Sequence, residues 1–107
     1  MGNDDLRYWL GFSAFHGIGP LRFKLLKDYF GSVKSAWTAS EKTLRETELG
    51  DALSRKFASF RRTFSPDAYI EEIKSKKITV LTLEDPQYPA PLAEQTGAPF
   101  LIYQGKS

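Results

Sequence analysis

The stretch Gly17-Ile18-Gly19-Pro20 separates two segments whose apolar residues recur at helical spacing. Glycines allow a tight turn and leave the backbone N–H groups accessible. Pro20 suits the first position of a helix, where its missing N–H leaves no hydrogen bond unmade. The start of that helix carries unpaired donors and partial positive charge, which favour a phosphate oxygen. These four residues therefore predict a tight turn between two helices that forms an anion-binding site.

This pattern is typical of a helix-hairpin-helix motif, which binds nucleic-acid backbone without reading sequence. The residues predicted to contact DNA at this turn are Gly17, Ile18, Gly19, Leu21, Arg22 and Lys24. Backbone N–H groups would supply part of the contact, and the two cationic side chains would supply the rest. If Gly19 holds a positive φ, Gly19→Val should harm both the fold and DNA binding. The alternative interpretation is a turn that only packs two helices together.

A second turn resembles the first one. Glu48-Leu49-Gly50 has a glutamate in place of the leading glycine, and it precedes a helix indicated by Leu53, Phe57, Phe60 and Phe64. Two such units in tandem predict an internal duplication of the hairpin. Because one glycine is missing, we expect the second turn to bind phosphate less well than the first.

Cationic side chains follow the second turn along its helix. Arg55 and Arg62 lie seven residues apart and therefore on one helical face, with Lys56 and Arg61 beside them. We predict that Arg55 and Arg62 extend the DNA-binding surface. The alternative is that they only solvate the face of the helix opposite its apolar side chains.

The predicted fold is mainly α, with a tandem helix-hairpin-helix (SAM-like) bundle over residues 1–65 and a helix plus two strands over residues 66–107. Ser32, Ser40 and Ser65 are expected N-caps, and Gly31 is an expected helix end. Residues 78–83 and 100–103 are rich in β-branched, leucine and aromatic side chains and predict short strands. We expect these strands to pair with each other or to lie at an exposed edge, since a sheet that they would join is absent from this sequence.

Composition narrows the classes of function. The chain of 107 residues has no cysteine, which excludes disulfides and thiolate zinc sites. His16 is the single histidine, and no nucleophile–base pattern is present, so we predict no metal site, no cofactor and no catalysis. No apolar run reaches transmembrane length and no signal peptide is visible, so we expect no contact with a membrane.

Charge and aromatic residues bear on the choice between DNA and protein partners. Residues 1–65 hold eleven Lys or Arg against seven Asp or Glu, whereas residues 66–107 hold four against six. Trp9 and Trp37 occupy periodic apolar positions and are predicted to be core residues, while Tyr8 is predicted to be exposed. Exposure of Tyr8 and Phe12 would favour a protein partner. A positive face that joins Arg22, Lys24 and Arg55 would favour DNA.

Two separated stretches resemble the DNA-processing protein A (DprA/Smf) family. The first comprises residues 6–10, Gly17–Pro20, Phe30–Ser32 and Ala36–Trp37, and the second comprises Val80–Pro89, Leu92 and Pro99–Gly105. The chain departs from the family at Glu48, which weakens the case for DNA contact there, and at Thr96–Ala98, which affects only a linker.

This resemblance implies a cytoplasmic bacterial protein that protects incoming single-stranded DNA during natural transformation and helps to load the RecA recombinase. It also implies that a Rossmann-like domain with the main single-strand site and a homodimer surface follows these residues. The predicted role is a DNA-binding accessory domain. The alternative is a module that docks a regulator or a second protomer without touching DNA.

Overall fold

The computed structural model describes residues 3–95 and 97–105 and is mainly helical, which confirms the predicted class. The helices, in chain order, are Asn3–Ala14 (α1), Pro20–Phe30 (α2), Val33–Thr38 (α3), Glu41–Arg45 (α4), Gly50–Thr63 (α5), Pro66–Ser75 (α6) and Ala90–Ala93 (α7). The strands are Ile78–Thr82 (β1) and Leu101–Gly105 (β2). Helix α1 packs against α3, α6 and β2, and α2 packs against α3.

The predicted helix boundaries are confirmed by their capping contacts. The hydroxyls of Ser32, Ser40 and Ser65 each accept a hydrogen bond from the backbone N–H three residues later, at 3.0–3.3 Å. Helix α2 ends at Gly31, whose φ of 89° is left-handed and whose N–H donates to the Lys27 carbonyl at 2.8 Å. Each contact satisfies a backbone group that a helix end would otherwise leave unpaired.

An aromatic cluster forms the centre of the core. The rings of Phe12 and Phe57 stack with centroids 5.2 Å apart, both side chains are 0% exposed, and the edge of Trp37 packs on each. Trp9 is also buried, which confirms both tryptophans as core residues. Phe12 is buried as well, because α1 packs on several elements and buries more than one apolar stripe, so Phe12 does not supply an exposed contact for a protein partner. Tyr8 is half-buried against this core rather than exposed.

The close packing of α1 on α3 depends on Gly11. A Cβ at this position would lie 2.5–2.9 Å from ring atoms of Trp37, which is too close for a real contact. The missing side chain therefore lets the indole lie directly on the α1 backbone. Nothing in the spacing of apolar residues indicated this role for Gly11.

The two strands pair antiparallel with each other, which is one of the two arrangements expected from the sequence. Ile78 lies opposite Gly105 and Thr82 opposite Leu101, and the Leu83 N–H donates to the Phe100 carbonyl at 3.0 Å. Phe100 then joins the sheet to the helices, because its ring stacks on that of Phe23 with centroids 4.1 Å apart. The described residues contain this two-stranded sheet and no further strand.

Several contacts hold the segment between the strands in place, among them an ion pair between Lys27 and Glu84. The Asp85 carboxylate accepts a hydrogen bond from the Gln87 N–H at 3.0 Å, and the Tyr88 hydroxyl donates to the Pro99 carbonyl at 2.5 Å. Burial of Tyr88 raises the pKa of its hydroxyl. Helix α7 lies in the same segment, with Pro91 in its first turn, where no N–H is needed.

Ser54 gives a stability prediction. Its side chain is 0% exposed in α5, and its hydroxyl has no hydrogen-bond partner among the described residues. Ser54→Ala removes a buried unsatisfied group and improves helix propensity, so we expect the free energy of unfolding to rise by about 0.5–1.5 kcal/mol. Chemical denaturation measures it, with exposed Ser59→Ala on the same helix as the control for propensity. Destabilisation by Ser54→Ala would contradict this prediction.

Candidate nucleic-acid interface

The hairpin turn, residues 15–19 between α1 and α2, reverses direction at Gly17. Its φ is 149°, a value that side chains rarely permit. A Cβ here would also lie 2.9 Å from Leu53 Cδ1 and 3.2 Å from Phe15 Cε2. Both the backbone conformation and the packing of α5 against the turn therefore require glycine at this position.

Gly19 has a different role from Gly17. Its φ of −82° and ψ of −175° are extended, and a Cβ there would meet nothing within 4 Å. A positive φ at Gly19 is therefore wrong, because Gly17 has already made the reversal. Gly19 is the N-cap of α2, where its missing side chain leaves the helix start open.

The start of α2 keeps its polar groups available. Gly19 provides no side-chain cap, Pro20 occupies the first turn, and no acidic residue lies in that turn. The N–H groups of Leu21 and Arg22 therefore have no capping side chain, unlike the serine-capped starts of α3, α4 and α6. The exposed guanidinium of Arg22 donates to the Gly17 carbonyl at 3.3 Å. A cation is thus held beside the positive end of the helix dipole.

A cleft of about 500 Å³ opens at this turn. His16, Gly19 and Arg22 line it together with Pro99 and Phe100 from the approach to β2. Ile18 also lines it and is buried, so it contributes packing and not a side-chain contact for DNA. The sequence did not reveal the wall at residues 99–101, because those residues lie about eighty positions from the turn.

The other predicted residues of α2 do not gather at this cleft. Lys24 lines a separate groove with Asp28 and Glu94, which place carboxylates beside it. Two residues along a helix turn the side chain through more than half a circle, so Arg22 and Lys24 face different grooves. Leu21 lies in the groove with Lys24 and is exposed.

The second turn differs from the first in charge and geometry. Helix α4 spans five residues, and α5 begins at Gly50, whose φ is 81°. Asp51 lies in the first turn of α5, and the exposed Glu48 lines a groove with Arg22. Asp51 places a negative charge in the first turn of α5, and a negative charge there disfavours a phosphate, so the second turn stays predicted as the poorer phosphate-binding site.

The cationic residues of α5 divide into two kinds. Arg55 and Arg62 are exposed, as is Lys56. Arg61 is half-buried instead: it donates to the carbonyls of Trp37 and Ala39, the latter at 2.7 Å, and its guanidinium lies 5.0 Å from the centre of the Phe57 ring. Burial lowers the pKa of Arg61, with the neighbouring Arg62 adding to the effect. Arg61 therefore ties α5 to the C-terminal end of α3 and does not extend a DNA surface.

The expected positive face has acidic neighbours. Glu46 and Glu48 line the groove on one side of Arg22, and Lys24 lies in another groove.

Within residues 3–95 and 97–105, no group of three or more His, Asp or Glu side chains is arranged to hold a metal ion. In the same part of the chain, no helix is both long enough and apolar enough to cross a membrane.

A curated protein is similar in sequence to this chain over most of the chain's length. The chain is 34% identical over 104 residues to Protein Smf of Synechocystis sp.. The match covers 96% of this chain but 26% of the Smf protein, so the chain spans about a quarter of the length of that relative. No family model and no solved structure matches the chain significantly.

Proposed function

We propose that this chain is the helical accessory region of a DprA/Smf-family protein and binds DNA backbone at the hairpin turn. The single observation that carries the proposal is the open start of α2, with Arg22 held beside it by the Gly17 carbonyl. The similarity to Smf supports the same assignment. Contacts to phosphate position a protein on DNA without reading its sequence, so the chain would bind single strands regardless of their bases.

The proposal includes the wider architecture that the family resemblance implies. Residues 1–65 form a tandem helix-hairpin-helix (SAM-like) domain, and residues 66–107 begin an α/β unit that leads to a Rossmann-like domain. The whole protein would have no enzymatic activity, would act in the cytoplasm on incoming single-stranded DNA during transformation, and would load RecA as a homodimer. The open α2 start would then supply a secondary backbone contact.

The expected binding is weak and dependent on salt. With two or three phosphates neutralised, the dissociation constant for oligo-dT should be on the order of 10⁻⁴–10⁻⁶ M, with a log–log salt slope of about −1.5 to −2 for a single strand. Arg22→Ala removes one cation from the turn, so the slope should become shallower by about 0.7. A salt titration followed by fluorescence anisotropy measures both quantities.

The control for this experiment is Lys74→Ala, which removes an equal charge from the last turn of α6. Lys74→Ala should leave the slope unchanged, and both variants should keep the circular dichroism spectrum of the parent chain. Equal losses in the two variants would contradict a site at the hairpin turn. An absence of binding at low salt would contradict DNA contact by this chain altogether.

A second candidate function is a protein-interaction module. Phe12 is buried and Tyr8 half-buried, so these residues do not supply its surface. The observation that favours it lies on α2, where large apolar side chains are exposed.

A further inference from the structure

Three large apolar side chains of α2 remain in solvent. Leu21, Leu25 and Tyr29 are 61%, 50% and 59% exposed, and their spacing of four residues places them in one row along the helix. We call this row the α2 stripe. Helix α2 buries Phe23 and Leu26 in the core instead, so the stripe is a second apolar surface on the same helix.

The α2 stripe borders a groove between α2 and the turn that leads into α5. This groove has a volume of about 420 Å³, and the buried Leu26 and Leu49 contribute to its lining. Leu25 and Tyr29 line it from the stripe. An apolar lining that borders a row of exposed apolar side chains is the form of surface into which an amphipathic helix packs.

The opposite wall of the groove is acidic. Glu46 and Glu48 line it, both are exposed, and neither forms an ion pair within the described part of the chain. Carboxylates repel a phosphate backbone, so this groove is unsuited to nucleic acid. They attract Lys or Arg at the edge of an apolar helix and thereby select partners by charge.

We propose that this groove docks a helical segment of a partner protein that carries apolar residues on one face and Lys or Arg beside them. The apolar face covers Leu25 and Tyr29, and the cations pair with Glu46 and Glu48. The inference rests on these contacts and does not depend on DNA binding at the hairpin turn. Arg22 lines both the groove and the cleft at the turn, so it is left unchanged in the test.

The test uses the full chain labelled with ¹⁵N and two designed helical peptides. One peptide has Leu along one face and Lys along the other, and the second has Glu in place of Lys. We expect the Lys peptide to shift backbone resonances of α2 and residues 46–49, and the Glu peptide to leave them unchanged. Calorimetry then gives the dissociation constants for the variants.

Two sets of variants separate the apolar contact from the charged one. We expect two double variants each to weaken binding of the Lys peptide by at least about tenfold. The first is Leu25→Ser with Tyr29→Ser, and the second is Glu46→Gln with Glu48→Gln. Leu83→Ser, which changes an exposed apolar residue outside this groove, should leave its affinity unchanged. Retained dispersion of the amide resonances shows that each variant is folded.

Three outcomes would overturn the proposal. Equal binding of the two peptides would show that the charge of the groove does not determine which peptide binds. Unchanged affinity in the groove variants would place the peptide elsewhere. Shifts of residues 46–49 by oligo-dT, in preference to the Lys peptide, would assign the groove to nucleic acid.

Discussion

Gly17→Val is expected to lower the free energy of unfolding by about 2–4 kcal/mol, whereas Gly19→Val should lower it by less than about 1 kcal/mol. At Gly17 a side chain is strained by the φ of 149° and collides with Leu53 and Phe15. At Gly19 the backbone is extended and a Cβ meets no atom within 4 Å. The two substitutions are chemically identical and lie two residues apart, so each is the control for the other.

Urea denaturation followed by circular dichroism measures this difference. The pair also separates fold from binding, because Gly19→Val places a bulky side chain beside the open start of α2 without unfolding the chain. We therefore expect Gly19→Val to weaken DNA binding while stability is retained. Equal destabilisation by the two variants would contradict the assignment of the reversal to Gly17.

The hairpin turn shows how far local sequence rules extend. Pro20 and the two glycines predicted where α1 ends and α2 begins, and the serine caps predicted three further helix starts. The turn is also packed against Leu53, which lies more than thirty residues away in sequence and approaches Gly17 closely. Local propensity contains no information on that contact.

In the core, the periodic spacing of apolar residues likewise did not predict every buried side chain. A single apolar stripe describes a helix that packs on one neighbour, but α1 contacts several elements and buries Phe12 as well as Trp9. In the candidate site, Arg22 and Lys24 are neighbours in sequence but line different grooves. The second wall of the cleft comes from Pro99 and Phe100, which the antiparallel pairing of β1 and β2 brings beside the turn.

The second large effect is expected at Arg61. Arg61→Ala should lower the free energy of unfolding by about 2–3 kcal/mol, because it removes charge-assisted hydrogen bonds to the Trp37 and Ala39 carbonyls and the contact with the Phe57 ring. Those carbonyls lie at the C-terminal end of α3, where a cation also interacts favourably with the helix dipole. Urea denaturation measures the loss.

Arg62→Ala is the matched control, since the neighbouring residue has the same side chain but is exposed. Its effect on stability should stay within about 0.5 kcal/mol. If Arg62 contacts DNA as proposed, Arg62→Ala should instead make the salt slope of oligo-dT binding shallower. Arg61→Lys keeps the charge but loses the planar fork of donors, so we expect it to restore part of the stability. Equal stability of Arg61→Ala and Arg62→Ala would show that Arg61 does not hold α5 to the end of α3.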